Sequence, residues 1–111
     1  LPLEEDIASL NATFPQKLYA MMHSPTFIRD CIAWLPHGKA FKIVNPDRFS
    51  THVIPKYFKH AKLTSFQRQL NLYGFRRITK GEEQGSYYHH KFQKERYELL
   101  EEIKRIPTKS A

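Results

Sequence analysis

The sequence predicts an α+β fold: three helices packed against a small antiparallel sheet, in the order helix, two strands, helix, helix, two strands. Three observations predict it. Apolar residues recur at helical spacing in three separate segments, such as Phe14, Leu18 and Met21 or Phe66, Leu70 and Tyr73. Two other stretches alternate every second residue across short turns, as half-buried strands do. The last turn, Lys80-Gly81-Glu82-Glu83-Gln84-Gly85, is polar and bounded by glycines, which suits an exposed loop at the edge of a sheet. The order is that of a winged helix-turn-helix. A chain of 111 residues can bury one modest core of this kind, with aromatic side chains supplying much of it.

The first helix is announced by Thr13 and Gln16, spaced as a capping box, with Pro15 in the first turn where a missing N–H costs nothing. It is expected to end near Ser24-Pro25. Cys31 to Leu35 and Ala40 to Val44 carry Ile32, Trp34, Phe41 and Ile43 at two-residue spacing around Pro36-His37-Gly38, and read as a hairpin with Trp34 in the core. Asn45 then stands as N-cap before Pro46 and starts a second helix, whose buried face is Phe49, Val53 and Tyr57. Pro55 removes a backbone donor within it, so a kink or bulge is expected there. A third helix follows Ala61-Lys62-Leu63, with Thr64 near its N-cap and Gly74 as the left-handed terminator. Phe75 to Thr79 and Ser86 to Phe92 form the second hairpin. From Lys94 to Ile106 a helix is expected, with Leu99, Ile103 and Ile106 at heptad spacing, and Pro107 stops it before a coiled coil could build. Residues 1–10 and 107–111 read as loose ends.

Charge points to a polyanionic partner. The formal net charge is +7 and the isoelectric point about 9.6. Between Asp47 and Glu82 stand Arg48, Lys56, Lys59, Lys62, Arg68, Arg76, Arg77 and Lys80 without one acid. The third helix lies in the middle of that stretch. With Phe66, Leu70 and Tyr73 on its inner stripe, Ser65, Arg68 and Asn71, together with Gln67, are expected to face the other way. A guanidinium matches guanine O6 and N7 with two parallel hydrogen bonds, and Asn or Gln amides match adenine N6 and N7. A solvated helix face would carry the same residue types, but Arg68 has no carboxylate three or four residues away to pair with. A groove-reading helix accounts for that composition.

Other chemistries find less support. Of six histidines, at 23, 37, 52, 60, 89 and 90, only His89-His90 cluster, and adjacent strand residues point to opposite faces, so no metal site is expected. No phosphate-binding glycine loop or nucleophile elbow is present, and no acid pair comes with an obvious cleft, so neither enzyme activity nor a cofactor is expected. Cys31 stands alone among apolar neighbours, which fits a buried, inert thiol in a reducing compartment. No apolar run approaches the roughly 18 residues of a membrane span, and Pro55 and Gly74 interrupt the cationic stretch, so no membrane partner is expected. The acidic start, Glu4-Glu5-Asp6, is unlike a secretory signal.

Ser65-Phe66-Gln67-Arg68-Gln69-Leu70-Asn71-Leu72-Tyr73-Gly74-Phe75-Arg76-Arg77 resembles the signature of the heat shock transcription factor DNA-binding domain. Further matches are Phe14 to Leu18, Trp34-Leu35-Pro36-His37-Gly38-Lys39-Ala40-Phe41, Tyr87-Tyr88-His89-His90-Lys91-Phe92, and Ile54-Pro55-Lys56-Tyr57-Phe58-Lys59-His60, where Ile54 replaces the family's leucine. The resemblance covers residues 13–105. It implies a DNA-binding domain over 13–94, after a flexible segment 1–12 and before a linker helix and tail at 95–111. It further implies a nuclear transcription factor that recognises inverted nGAAn repeats in double-stranded DNA, one domain per unit, and that trimerises through a coiled coil outside this chain. On this resemblance Arg68 reads the guanine, Ser65 and Asn71 support it, and Lys56, Lys59, Lys62, Tyr73, Arg77 and Lys80 are candidates for the DNA backbone. Gln67 departs from the family's aliphatic residue and either adds a base contact or is solvated. The wing is shorter than is common in the family, which puts its contact with a neighbouring domain in doubt. An Ets-like domain, or a winged helix that binds protein, is the alternative.

Overall fold

The computed structural model describes residues 12–23, 29–58 and 62–107. Helix α1 spans Phe14–Met22. Its capping box forms: the Gln16 amide N–H donates to Thr13 Oγ1 at 3.3 Å and the Thr13 amide to Gln16 Oε1 at 2.9 Å. The helix stops at Met22 with His23 as C-cap; Ser24 and Pro25, where the sequence suggested its end, lie outside the described residues.

Strands β1 (Ile32–Trp34) and β2 (Ala40–Ile43) pair antiparallel with Trp34 opposite Phe41. The second hairpin reduces to two short strands, β3 (Arg76–Arg77) and β4 (Tyr87–Tyr88), and the four strands assemble in the order β1-β2-β4-β3. Phe41 pairs with Tyr87, and Tyr87 with Arg77, so these three share one face. Trp34 packs inward as expected, stacking on Phe92 with ring centroids 5.1 Å apart.

Helix α2 is compound. It begins at Pro46–Arg48, where the Asn45 side chain accepts from the Arg48 amide at 3.1 Å, widens to a π-helix over Phe49–Val53 and returns to α-helix over Ile54–Tyr57. The π-turn is the bulge that Pro55 requires. A proline ring collides with the carbonyl four residues back in a regular helix, and one wider turn relieves the collision. The Ile54 amide accordingly reaches the carbonyl five residues back, at Phe49. The extra residue also puts two neighbours, Val53 and Ile54, into the core beside Phe49 and Tyr57.

Helix α3 spans Leu63–Leu72. Its N-cap is Lys62, whose side chain makes no cap hydrogen bond; Thr64, expected near the cap, stands two residues after it, inside the first turn. Its far end closes as the glycine suggested. Gly74 adopts φ +83°, its amide donates to the Asn71 carbonyl at 3.0 Å and the Phe75 amide to the Leu70 carbonyl at 2.9 Å, the paired bonds of a Schellman close.

The C-terminal expectation fails. In place of a helix from Lys94 to Ile106 there is one 3-10 segment, Tyr97–Glu102, followed by extended chain from Ile103. With three residues per turn, Leu100 and Ile103 face the core together and are buried, while Ile106 is 54% exposed, so the heptad stripe Leu99-Ile103-Ile106 does not exist as a surface. The extended chain then straps the end of α3, where the Ile106 amide donates to the Leu72 carbonyl at 2.7 Å.

Candidate nucleic-acid interface

The back of α3 is held by aromatic packing. Phe66 and Leu70 are buried, and the Phe66 ring meets Phe49 edge-on with centroids 5.0 Å apart and Phe14 at 5.7 Å. The face directed to solvent is Thr64, Arg68 and Asn71, all exposed and spaced i, i+4, i+7. This stripe mirrors Phe66, Leu70 and Tyr73 on the other side. Among the described residues no carboxylate lies within ion-pair distance of Arg68. Seven of the eight cations between Asp47 and Glu82 are described, and all seven are exposed. Three ion pairs lie elsewhere: His37 with Glu83 at 2.9 Å, Lys91 with Glu102 at 3.3 Å and Arg96 with Glu98 at 2.6 Å.

The expected site residues divide into three groups. Arg68 and Asn71 share the outward stripe. Ser65 does not: it is half-buried and lines a cavity of about 270 Å³ with Phe14, Lys17, Ile54, Phe58 and Gln69, between α3 and the first two helices. Gln67 is also half-buried, and the expectation that it faces outward is corrected. Its Nε2 donates to the Tyr87 hydroxyl at 3.3 Å. Both lie too far round the 100° spiral from the Thr64-Arg68-Asn71 axis to stand fully clear of their neighbours.

Lys62 is exposed at the start of α3, where the first amides of the helix have no intrahelical acceptor. Arg77 is exposed on β3 with its guanidinium over the Tyr87 ring, 5.9 Å from the centroid. Lys56 and Lys80 are exposed in the last turn of α2 and at the base of the wing. Tyr73 belongs to the inner side. Its ring stacks on Phe14 at 5.3 Å, away from the Arg68 stripe. Lys59 lies outside the described residues.

The exposure of Thr64 on this stripe was not anticipated, although its spacing to Arg68 and Asn71 was readable. The contact between Tyr87 and Gln67 was not foreseen because it joins residues 20 apart in sequence.

The wing folds back on its own domain. The Gly85 amide donates to the Ile78 carbonyl at 2.7 Å, and Glu83 meets His37 in the turn of the first hairpin. The His89-His90 pair also differs from expectation. The two rings stack, with centroids 4.8 Å apart and planes 10° from parallel, because the chain leaves the strand at His89 and turns, the Phe92 amide returning to the His89 carbonyl at 2.9 Å. Stacked parallel rings do not converge on one ion, and no group of three or more potential metal ligands occurs among the described residues. His89 is held below the ordinary histidine range first by burial, then by His90 and Lys91. Cys31 is fully buried and its thiol is raised, mainly by burial, as suits an inert side chain. No helix among the described residues is long and apolar enough to cross a membrane.

Known proteins are similar to this chain in sequence and in fold. Heat shock factor protein 4 of Homo sapiens is 36% identical over 114 residues, covering 95% of this chain, and heat shock factor protein 2 of Gallus gallus is 39% identical over 107 residues, covering 87%. The chain spans only 23% and 19% of the lengths of these relatives. Among solved structures, Chaetomium thermophilum Skn7 with SSRE DNA superposes with a TM-score of 0.77 at 31% identity, covering 84% of this chain and 98% of that one. A heat shock transcription factor/DNA complex gives a TM-score of 0.60 at 30% identity, covering 72% and 98%. The family model for HSF-type DNA-binding matches residues 14–106. A winged helix with an exposed, acid-free stripe on α3 and a family match over most of its length, this chain belongs to the HSF-type DNA-binding family.

Proposed function

We propose that this domain binds double-stranded DNA sequence-specifically, laying α3 in the major groove of inverted nGAAn repeats as the DNA-reading part of a nuclear, heat-shock-factor-like transcription factor. One observation carries the reading: Arg68 and Asn71 stand exposed on one stripe of a helix whose other side is locked into the core, with no carboxylate beside the guanidinium among the described residues. A helix about 10–12 Å across fits a major groove about 12 Å wide, so one stripe along the length of α3 can face base edges. Arg68 takes the guanine through its two parallel donors. Asn71 and Thr64 flank it on the stripe, Ser65 borders the stripe from one flank, and Gln67 on the other flank supports the helix through Tyr87 rather than the bases. Lys62, Arg77, Lys56 and Lys80 meet phosphate, with Lys59 and Tyr73 as further candidates. Lys62 is well placed because a helix N-terminus with unpaired amides attracts anions. None of the exposed large apolar residues Val44, Tyr88, Tyr97 and Ile106 lies on α3, which speaks against a protein-binding face there. In the full-length protein, three such domains are joined by a coiled coil outside this chain, and tethering raises the effective concentration of each at its repeat.

Arg68→Ala tests the reading. The side chain is exposed and supports no core contact, so the variant folds. Its preference for an nGAAn duplex over a scrambled one is expected to fall by about 1–3 kcal/mol. Full discrimination retained by the variant would remove Arg68 from the reading role.

A further inference from the structure

We infer that Tyr87 is the positioning residue of the reading helix: its hydroxyl holds Gln67 and thereby fixes the roll of α3 that aims Arg68. The inference rests on the DNA reading proposed above. Tyr87 is 7% exposed and set in β4, hydrogen-bonded between β2 and β3, with its ring stacked on Phe41 at 5.8 Å. It is therefore a fixed point of the sheet. Its hydroxyl accepts from Gln67 Nε2 at 3.3 Å, and Gln67 immediately precedes Arg68. Beneath α3 the contacts are apolar, and apolar packing is not directional. A hydrogen bond to one flank supplies the missing direction.

The geometry makes the roll consequential. Side-chain tips stand about 5–6 Å from a helix axis, so a 10° roll moves them by about 1 Å. That exceeds the spread of a good bidentate hydrogen bond. The same phenol ring carries the Arg77 guanidinium on its face, 5.9 Å from the centroid, so the helix flank and a candidate phosphate contact are referred to one buried side chain. At 3.3 Å the Gln67 bond is long, which suits a guide more than a source of stability.

The test compares the unaltered chain with Tyr87→Phe, Gln67→Leu and the double variant, by fluorescence anisotropy on an inverted nGAAn duplex and a scrambled duplex at several salt concentrations. Thermal unfolding followed by circular dichroism monitors the fold. Each single variant is expected to lower the discrimination ratio by about three- to tenfold, with little change in Tm. The double variant should lose no more than either single one, because both remove the same bond. Tyr87→Phe keeps the ring under Arg77 and so keeps the slope of log K against log[salt]. Undiminished discrimination in both single variants would overturn the inference. So would losses that add in the double variant, which would put Gln67 on the bases itself, or a lower salt slope in Tyr87→Phe, which would put the hydroxyl on phosphate. An unaltered chain that prefers neither duplex would instead sink the DNA-reading proposal, a failure seen before any variant is made.

Discussion

Gly74→Ala probes how the end of α3 is held. At φ +83° the residue lies in the left-handed region, where an L side chain costs about 1–2 kcal/mol. Relaxing that strain by moving the backbone would break the two bonds that close α3, from Gly74 to Asn71 and from Phe75 to Leu70. The new methyl would also meet Ile106 Cδ1 at 3.0 Å and the His89 ring at 3.6 Å. The first contact is tight, but Ile106 is exposed and its side-chain end can swing aside. Backbone strain therefore dominates, and the total loss is about 1–3 kcal/mol, or about 5–15 °C in Tm for a domain of this size. Thermal unfolding by circular dichroism measures it. Two controls separate the causes. Ile106→Ala removes the contact and should restore little of the loss in the double variant. Gly74→Asn adds the same Cβ but tolerates the left-handed region better, and should lose less than alanine. A Gly74→Ala protein within a degree or two of the parent, or one rescued fully by Ile106→Ala, would refute this account.

Lys62→Ala and Arg77→Ala are each expected to weaken binding to specific and scrambled duplexes alike, and to flatten log K against log[salt] by about one contact; unchanged slopes for both would move the phosphate surface elsewhere. His89, held below the ordinary histidine range, binds a proton less readily folded than unfolded, so its contribution to stability is complete above about pH 6.5 and is lost as pH falls below that value. The parent should therefore lose more Tm between pH 7.5 and 5.5 than His89→Gln, and equal losses would refute the assignment. Because Leu100 and Ile103 are consumed by the domain's own core, the free chain should sediment as a monomer at micromolar concentration, and a stable trimer without DNA would reveal an interface unaccounted for.

What was legible in the sequence was local. The capping box at Thr13, the Asn45-Pro46 start, the disruption at Pro55 and the glycine stop at Gly74 each depend on a few adjacent residues, and each has its counterpart in the fold. The errors occur where a distant contact overrides the local pattern. Leu99, Ile103 and Ile106 have the spacing of a heptad, but burying Leu100 with Ile103 favours a tighter turn and then extended chain across α3. His89 and His90 look like strand neighbours until the turn to Phe92 brings their rings together. Of the four residues expected to face outward, two were readable: Arg68 and Asn71 follow from spacing alone, whereas the inward tilt of Gln67 and Ser65 depends on Tyr87 and on the cavity wall formed by α1 and α2.

The restraints on α3 are unevenly distributed, and the unevenness bears on how it would work. Its back rests on Phe14 and Phe49, one flank is tied to Tyr87, and its C-terminus is closed twice, by the Gly74 turn and by the Ile106 amide on the Leu72 carbonyl. Its N-terminus has no side-chain cap. Unpaired amides at a helix start carry the positive end of the helix dipole, and an anion there is stabilised by about 0.3–1 kcal/mol at an exposed site. Under the proposed function a DNA phosphate supplies that acceptor beside Lys62, so the part of the helix left open in the free protein is the part completed on binding. The rigid end then bears the aim of Arg68 and Asn71, and the open end bears the salt-dependent share of affinity. Changes near Lys62 should accordingly act on all sequences, and changes near Gln67 and Tyr87 on the choice among them.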